Sequence, residues 1–436
     1  EASTILEIDV SSKQINIGNI SKEIYWKPKL QKKYKEFSKE DFLVEIEDKL
    51  SNSVNQQMRS DVSLGSFLSG GIDSSLISYL MQKNSMKKIN TFNVKFEENR
   101  FDESVFARKV SDTIGSNHHE INVDYKMALE TIPNLGQIYD EPFADSSQIP
   151  TFLISKEIKK SVTVALSGDG GDELFGGYNR YIISNKLYNI ISSVPLPFRK
   201  VLSIILQSVS PQNWTKFLKL IPHLNQYTNI GDKVYKVANS IEAKTLSEMY
   251  YILCSSWQNP TEVVKGSKIT NGLLNTFQQE LREFNNQQLM MTSDFLSYLP
   301  DDILVKIDRA SMASSLETRA PFLDHKLIEY VWKIPHSLKF RNGQGKWILN
   351  QILNKYVPKK LTDRPKMGFA VPIDIWLRKP LREWAESLLN ETRLRQEGYF
   401  DVNLIRNKWK EHLSGKKNWQ NHLWNILMFQ SWNDSK

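Results

Sequence analysis

The sequence predicts an α/β fold, in which a parallel sheet with helices on both faces is followed by a mostly helical C-terminal region. Strand-like and helical stretches alternate between about residues 60 and 180, a pattern typical of βαβ units with parallel strands. Beyond that point the strand signal fades, and Trp, Leu and Ile recur at helical spacing. We therefore expect residues 181–432 to be mostly helical.

Four strands and five helices are predicted in the first 180 residues. The strands are short apolar runs at 63–68, 90–96, 119–123 and 162–166. The helices follow helical apolar spacing at 39–59, 74–83, 102–115, 125–136 and 148–159. Ligands bind such sheets at the carboxyl ends of the strands. Glycine-rich loops follow the first and fourth strands, so these loops are the candidate site.

Residues 1–30 form a separate pattern. Residues 5–10 and 14–17 alternate as the two strands of a hairpin around Ser11-Ser12-Lys13. Two strands alone do not make a stable sheet, so we expect the hairpin to pack on another part of the protein. Because the chain begins with Glu1 rather than Met, we interpret it as a piece of a longer or processed protein.

Composition narrows the classes of function. The net charge of +8 over 436 residues suits an anionic substrate such as ATP. The basic residues are scattered, so no nucleic-acid partner is predicted. A single cysteine, Cys254, excludes an internal disulfide and a cysteine-based zinc site, and it fits a reducing, cytoplasmic compartment. No apolar run reaches membrane-spanning length, and no membrane partner is expected.

The first glycine-rich loop has the features of a phosphate-binding site. Its glycines allow close backbone approach to a ligand, its serines supply hydroxyl donors, and the helix that follows adds free N–H groups. The residues expected to cradle a phosphate group are Ser69, Gly70, Gly71, Ser74 and Ser75. Asp73 within this loop would repel phosphate unless it binds Mg²⁺, which bridges carboxylate and phosphate oxygens.

The second glycine-rich loop, Ser167 to Asp172, follows the fourth strand. Because the carboxyl ends of parallel strands share one edge of a sheet, we expect Asp172 to lie beside Asp73 as a second Mg²⁺ ligand. Ser167 and Gly168 are expected to contact the nucleotide through their backbone.

The first loop resembles the pyrophosphate loop of the N-type ATP pyrophosphatases, which cleave ATP between the α and β phosphates. Further motifs follow along the chain, at Asp308–Ala313, Leu316–Asp324, Gly345–Leu349 and Arg364–Pro372. In this order the motifs resemble the synthetase domain of the glutamine-dependent asparagine synthetase family, over about residues 35–432.

The resemblance implies a pyrophosphatase-type α/β part at about 60–180 and a helical part at 181–432. It implies that ATP adenylates a carboxylate, most simply the aspartate side chain. Ammonia then converts the adenylate into an amide, here asparagine, with release of AMP and pyrophosphate. Residues 1–30 resemble the closing hairpin of the family's glutaminase domain. That domain is therefore expected in the full-length protein but not in this chain.

The resemblance also assigns roles to single residues. Lys346 matches the lysine that neutralises charge during adenylation, and Asp169 occupies the position of a glutamate base for the incoming amine. Leu68 and Val94 match contacts to adenine and ribose, and Asp145 and Ser146 are expected near the acceptor or ATP. Asn350 stands where the family usually has arginine.

Other interpretations remain open at the level of sequence. The same chemistry could act on another carboxylate, such as a sugar acid, or close a ring within one molecule. A non-catalytic binding module on the same fold is the alternative from another class. The motifs specify adenylation, whereas none of these residues specifies aspartate.

Overall fold

Five parallel strands form the central sheet, and their order brings the two glycine-rich loops together. The computed structural model describes residues 2–8, 20–28, 38–96, 103–221, 230–268, 284–362 and 371–436. The strands are β3 (Leu64–Phe67), β4 (Asn90–Phe96), β5 (Asn117–Val123), β6 (Val164–Leu166) and β7 (Glu317–Arg319), in the spatial order β5-β4-β3-β6-β7. A separate antiparallel hairpin joins β1 (Thr4–Ile8) and β2 (Ile20–Ile24). The architecture confirms the predicted α/β class.

The register of the central strands explains why the two loops meet. Leu64 pairs with Val164, and Ser66 pairs with Leu166, so β3 and β6 run side by side and end at the same level. All three residues of β6 are buried, as expected for a strand covered on both faces of a parallel sheet. The loops that leave these two strands therefore emerge next to each other.

Helices cover both faces and make up most of the remaining regular structure in the described chain. Those preceding residue 180 are α1 (Lys39–Gln57), α2 (Ile72–Lys83), α3 (Ser104–Ile114), α4 (Tyr125–Thr131), α5 (Leu135–Ile138), α6 (Gln148–Ile158), α7 (Gly171–Phe175) and α8 (Asn179–Ile191), which extends beyond it. The next are α9 (Leu196–Ser208), α10 (Pro211–Leu218), α11 (Ile230–Ser240), α12 (Leu246–Cys254), α13 (Pro260–Val263), α14 (Asn286–Ser293), α15 (Leu304–Met312) and α16 (His325–Val331). The last are α17 (His336–Lys339), α18 (Trp347–Leu353), α19 (Lys359–Thr362), α20 (Ile373–Arg378), α21 (Arg382–Leu388), α22 (Glu391–Glu397), α23 (Val402–Leu413) and α24 (Gln420–Asn433).

Two apolar cores lie against the sheet. One contains Leu68 and Leu166 and includes buried side chains of α1, α2 and α18. The other contains Phe92 and Ala165 and includes buried side chains of α6 and of the C-terminal helices α20–α24. The C-terminal part thus completes the core of the α/β part. Among the described residues, no helix combines the length and the apolar character that crossing a membrane requires.

The structure departs from the predicted elements in three places. The edge strand β7 was not predicted, because three residues are too few to show strand periodicity, and it pairs in parallel with β6. In the hairpin, β1 pairs with β2 at 20–24, whereas the second strand was predicted at 14–17, which lies outside the described residues. The predicted helix at 125–136 is interrupted by a 3₁₀ turn at Ile132–Asn134, which contains a proline.

A buried ionic network holds α8 against the helices behind the sheet. Asp294 begins a π-helical stretch, Asp294–Ile303, and is 4% exposed. Its carboxylate accepts hydrogen bonds from Arg180 at 2.6 Å and from the hydroxyls of Tyr181 and Tyr250, both at 2.7 Å. One carboxylate thus satisfies three donors from two other helices, and its loss would leave all three without this partner.

We predict that Asp294→Ala destabilises the fold by about 3 kcal/mol, because it leaves a partly buried guanidinium and two buried hydroxyls without their shared hydrogen-bond acceptor. Urea unfolding followed by circular dichroism measures the effect. The matched control is Glu391→Gln, which breaks the exposed Glu391–Arg395 pair and should leave the unfolding midpoint unchanged. Equal shifts in both variants would contradict a special role for the buried network.

Candidate active site

A cavity of about 730 Å³ lies at the carboxyl ends of β3, β4 and β6, a size typical of small-molecule sites. Both glycine-rich loops, the motif around Lys346 and residues of α15 contribute to its wall. Of the sequence-predicted site residues, those that line it are Leu68, Ser69, Gly71, Asp73, Ser74, Ser167, Gly168, Asp169, Asp172 and Lys346. The predicted convergence of separate motifs at one sheet edge is therefore present.

The first loop is shaped to receive an anion. Gly70 has a φ of 75°, and a Cβ there would lie 2.9 Å from the backbone nitrogen of Ala107, so a side chain is excluded on both grounds. The hydroxyls of Ser69 and Ser74 lie 3.0 Å apart at the start of α2. Gly71 caps this helix without a side-chain hydrogen bond. The positive end of the helix dipole thus adjoins two hydroxyl groups.

The second loop packs directly on the first because its glycines lack side chains. A Cβ on Gly168 would lie 2.8 Å from the Cβ of Asp73, and one on Gly171 would lie 2.6 Å from an Asp73 carboxylate oxygen. Such distances are too short for any other residue. The glycines at positions 168 and 171 are therefore what allows the two loops to approach each other so closely.

Lys346 lies where the two loops meet. Its ammonium group is 2.5 Å from a carboxylate oxygen of Asp172 and also hydrogen-bonds the carboxylate of Asp73. The residue is 4% exposed. Burial alone would lower the pKa of Lys346, but the charges of Asp172 and Asp73 raise it well above its usual value. The lysine is therefore a fixed cation between two carboxylates.

The backbone around Lys346 is strained, which supports a functional reading of this position. Lys346 has a φ of 53°, in the left-handed region that non-glycine residues seldom occupy. Its N–H donates to the carbonyl of Phe175 at 2.9 Å. A Cβ on the preceding Gly345 would lie 1.8 Å from the carbonyl oxygen of Gly176. The motif is thus locked against the end of α7, and this contact aims the lysine into the cavity.

The two carboxylates suit a magnesium ion that is bound jointly by the protein and by a phosphate group. Asp73 and Asp172 converge on one cation, the Lys346 ammonium. Within the described ranges, no group of three or more His, Cys, Asp or Glu side chains could hold a metal. Mg²⁺ commonly takes one or two protein carboxylates and completes its shell with phosphate oxygens and water. Two carboxylates match this kind of magnesium site, and they are too few for a site in which the protein supplies all the ligands.

Glu173 adds a buried acid beside this centre. It lines the cavity, is 1% exposed and accepts a hydrogen bond of 2.5 Å from the Tyr178 hydroxyl. Burial, reinforced by the charge of Asp172, raises the pKa of Glu173 to about 7. Tyr178 is itself packed on the guanidinium of Arg180, 4.1 Å from the ring centroid. The Arg180–Asp294 pair thereby supports one wall of the cavity.

The far side of the cavity carries a second charged group. Lys306 on α15 lines the cavity and donates to Asp145 at 2.9 Å. The same Asp145 oxygen accepts from the Ser147 hydroxyl at 2.8 Å. Burial alone would raise the pKa of Asp145, but Lys306 and Ser147 hold it below its usual range. Nearby, burial and the charge of Asp145 raise the pKa of Asp302 to about 7.

Five sequence-predicted residues do not line the cavity. Gly70 turns the loop behind it, and Ser75 is fully buried in the first turn of α2. Val94 is 2% exposed and belongs to the core. Asp145 accepts a hydrogen bond from Lys306, which does line the cavity, and the Ser146 carbonyl accepts from the N–H of Ile149 at the start of α6. Ser147, the next residue, lines the cavity in their place.

The structure also brings residues to the cavity that sequence reasoning missed. Asn93 lines it next to Val94 because neighbouring residues on a strand face opposite sides. Its amide nitrogen is buried with no hydrogen-bond partner in the described part of the chain. Lys306 precedes the third motif by only two residues, and Glu173 and Tyr178 directly follow the second loop. Extending each motif by a few residues would have found these three.

Motif residues outside the two glycine-rich loops have different structural settings. Arg319 pairs with Glu317 at 2.6 Å and also donates to the carbonyls of Gln57 and Arg59. These two residues of the Leu316–Asp324 motif thus form a structural ion pair. Most of the Arg364–Pro372 motif lies outside the described residues. Asn350 lines the cavity, so the position that differs from the usual arginine is within the site.

Comparisons with known proteins agree with this geometry. The sequence profile of the family described as asparagine synthase matches residues 45–434. The chain is 32% identical over 421 residues to glutamine-hydrolyzing asparagine synthetase 1 of Bacillus subtilis (strain 168), which covers 95% of the chain and 62% of that relative. It is also 32% identical over 390 residues to a putative glutamine-hydrolyzing asparagine synthetase of Mycobacterium tuberculosis, with coverage of 89% and 57%.

A more distant match is amidase chry2 of Gibberella zeae, 23% identical over 414 residues, with coverage of 86% of the chain and 60% of that relative. The chain spans about three-fifths of the length of these relatives. Because the family profile matches nearly the whole chain, and its motifs converge on one cavity, the chain belongs to the asparagine synthase family.

Proposed function

We propose that this chain uses ATP to adenylate a carboxylate, with the aspartate side chain as the acceptor, and transfers the acyl group to ammonia. The products are an amide, here asparagine, together with AMP and pyrophosphate. The observation that carries the proposal is the convergence of Asp73, Asp172 and Lys346 beside a glycine-rich loop at a helix N-terminus. This combination suits the departure of pyrophosphate from the α-phosphorus of ATP.

Pyrophosphate binding is assigned to the first loop. Ser69 and Ser74, at the start of α2, line the cavity where the β and γ phosphates are expected, and the positive end of a helix dipole favours such anions. Mg²⁺ held by Asp73 and Asp172 would neutralise charge on the departing pyrophosphate. The unpartnered amide of Asn93, 3% exposed, offers a hydrogen-bond donor to the nucleotide at the end of β4.

Adenylation then requires stabilisation of negative charge on the phosphates. A carboxylate oxygen of the acceptor attacks the α-phosphorus, the bond from this phosphorus to the bridging oxygen breaks, and pyrophosphate leaves. Lys346 is already charged and held in place by its neighbours, so it can stabilise developing charge without reorganisation. Its raised pKa keeps the ammonium protonated throughout the physiological pH range.

Amide formation needs a base, a role that we assign to Asp169. Ammonia attacks the acyl carbon, AMP leaves, and the nitrogen loses a proton. Asp169 is partly exposed and lines the cavity on the second loop. Its side chain is one methylene shorter than the glutamate expected from the family resemblance, so the loop backbone must bring it closer to the acyl group. Glu173, in the short helix α7 that follows, contributes by fixing Tyr178 in the wall.

The acceptor is assigned to the side of the cavity that carries Lys306. An aspartate substrate brings both a carboxylate and an ammonium group beyond the reacting carboxylate. Lys306 lines the cavity and offers a cation to the free carboxylate of such a zwitterion, and Asp145, bonded to it at 2.9 Å, holds it in place. Ser147 completes this group, since its hydroxyl bonds Asp145.

The decisive experiment measures AMP release from ATP with ammonia and each of several acceptors. L-aspartate is compared with L-malate, which lacks the amine, and with a hexuronic acid. We expect AMP and asparagine to form with aspartate alone. Turnover with the hexuronic acid but not with aspartate would retain the adenylation chemistry and overturn the acceptor. No AMP with any carboxylate would overturn the reaction itself.

The first prediction concerns the central cation. Lys346→Ala should slow pyrophosphate release at saturating ATP and acceptor by roughly 10²–10³-fold, because it removes a preorganised charge from the transition state. Lys355→Ala is the matched control, since Lys355 is half-exposed, pairs with Glu47 and does not line the cavity. Thermal unfolding of each variant separates lost chemistry from lost folding. A rate within about twofold of the unmutated chain would assign Lys346 to structure alone.

The second prediction concerns the metal. Asp73→Asn and Asp172→Asn should each abolish Mg²⁺-dependent turnover, because each removes one of two proposed protein ligands. Calorimetric titration of Mg²⁺ in the presence of a non-hydrolysable ATP analogue gives a readout independent of activity, and both variants should lose binding. Asp140→Asn, at an exposed aspartate paired with Arg309, is the control. Normal Mg²⁺ titration in both site variants would contradict the shared metal site.

The third prediction concerns nitrogen. The 436-residue chain should make amide from ammonium chloride and not from ammonia-free glutamine. Its only cysteine, Cys254, ends α12 and is not among the cavity residues, and glutamine hydrolysis in this family needs a cysteine nucleophile. Because only free ammonia attacks, turnover at fixed total ammonium should rise from pH 7 towards the ammonium pKa of about 9, in the range of other amines.

The assay follows amide formation with each nitrogen source over this pH range. A glutaminase domain in the full-length protein is the proposed source of ammonia from glutamine. Efficient use of glutamine by the isolated chain would contradict this division of labour.

A further inference from the structure

The surface formed by α9 and by residues 211–221, which begin with α10, exposes an unusual set of large apolar side chains. On α9 these are Phe198, Val201, Leu202, Ile204 and Ile205, and Phe198 and Ile204 are each 67% exposed. On α10 and just after it they are Phe217, Leu220 and Ile221, and Leu220 is 81% exposed. Scattered exposed apolar residues are normal, but a concentration of this kind marks an interaction surface.

The apolar stripe of α9 faces away from the protein. Phe198, Val201, Leu202 and Ile205 follow the i, i+3, i+4, i+7 spacing of one helix face. The opposite face is attached to the fold, since Ser203 donates to the carbonyl of Ala238 at 3.0 Å and Arg199 donates to that of Ala243 at 2.6 Å. The helix is therefore held from behind with its apolar face outward. The apolar face of α9 is therefore not directed towards the core of the protein.

Helix α10 is joined to the same surface. The indole N–H of Trp214 donates to the carbonyl of Leu206 at 2.8 Å, which holds α10 against the end of α9. Tyr235 of α11 donates to the carbonyls of Gln207 and Val209 between the two helices. The two apolar sets thus belong to one supported unit.

The charge of this stretch is of one sign. Residues 174–231 contain no Asp or Glu but six Lys or Arg. Lys200, Lys216 and Lys219 are exposed among the apolar side chains, with Lys186 on α8. Large apolar residues interspersed with lysines, on a helix that is too short to span a bilayer, have the composition of helices that lie in a membrane interface.

We propose that α9 and residues 211–221 dock the protein on an anionic lipid surface. The apolar side chains would enter the interface between headgroups and acyl chains, and the lysines would contact the acidic headgroups. Symmetric packing of two copies through this face is disfavoured because it would bring the lysines together without acidic partners on the segment. A nucleic-acid partner is also disfavoured, because its phosphate backbone would give the aliphatic side chains no apolar surface to contact.

This proposal is independent of the reaction proposed for the cavity. It also differs from the sequence-based expectation of no membrane partner, which rested on the lack of a spanning segment. A helix that lies in the interface needs no such segment. None of the eight apolar side chains lines the cavity, so binding and catalysis can be tested separately.

The test is co-sedimentation of the 436-residue chain with vesicles. Vesicles of phosphatidylcholine alone are compared with vesicles in which phosphatidylglycerol replaces half of it. We expect binding to the anionic vesicles, with little binding to the neutral ones and a decrease at high salt. Phe198→Ser combined with Ile205→Ser should weaken partitioning at least about tenfold by removing inserted apolar area. Lys200→Glu with Lys219→Glu should weaken it by a similar factor, since each surface lysine contributes about fivefold.

Val62→Ser combined with Met86→Ser is the matched control, because both residues are exposed, at 49% and 105%, and lie outside this surface. It should change partitioning by less than about twofold. ATP–pyrophosphate exchange should persist in all three variants. Absence of binding to anionic vesicles, or equal losses in the control, would overturn the proposal. A dimer in light scattering that only the Phe198/Ile205 variant disrupts would assign the face to a second copy instead.

Discussion

The interaction between Lys346 and the carboxylates of Asp73 and Asp172 is the one on which the site depends. Each of the three residues belongs to a different segment, and the segments are separated by nearly 100 residues or more along the chain. Two carboxylates packed this closely in a buried place would repel each other strongly without a cation. The charge of Lys346 therefore helps the two loops to pack together, in addition to the role in catalysis that we propose for it.

Several backbone features serve this single contact. Gly168 and Gly171 let the second loop approach Asp73, and Gly177 leaves room for Asp172 and Lys346, since a Cβ there would lie 1.9 Å from an Asp172 oxygen. The left-handed conformation of Lys346 costs free energy, which its N–H bond to Phe175 and the buried α18 that follows help to offset. Strain and close packing are thus concentrated where the proposed chemistry requires fixed charges.

Much of this arrangement was predictable from sequence, for physical reasons. Strands β3, β4 and β6 are bounded by clear breaks, and parallel strands place their carboxyl-terminal loops on one edge, so the approach of Asp73 and Asp172 followed from topology. The edge strand β7 did not, because three residues carry no periodic signal. The prediction named Val94, whereas Asn93 lines the cavity. A resemblance identifies the end of a strand, but it does not identify which of two neighbouring side chains faces the ligand. Lys306 was missed because it lies two residues before the Asp308–Ala313 motif, and because its pairing with Asp145 joins residues that are 161 apart in sequence.

Helix α8 connects the two surfaces to which we assign functions. It starts beside Tyr178 in the cavity wall, where Arg180 is tied to Asp294, and it ends at Ile191, five residues before α9. A helix of 13 residues is about 20 Å long at 1.5 Å per residue, so the cavity and the apolar surface lie within reach of one rigid element. The Arg180–Asp294 network therefore has two consequences, because it braces the wall that contains Tyr178 and also fixes the helix that leads to α9. A protein docked through α9 would therefore hold its cavity at a set distance from the lipid surface.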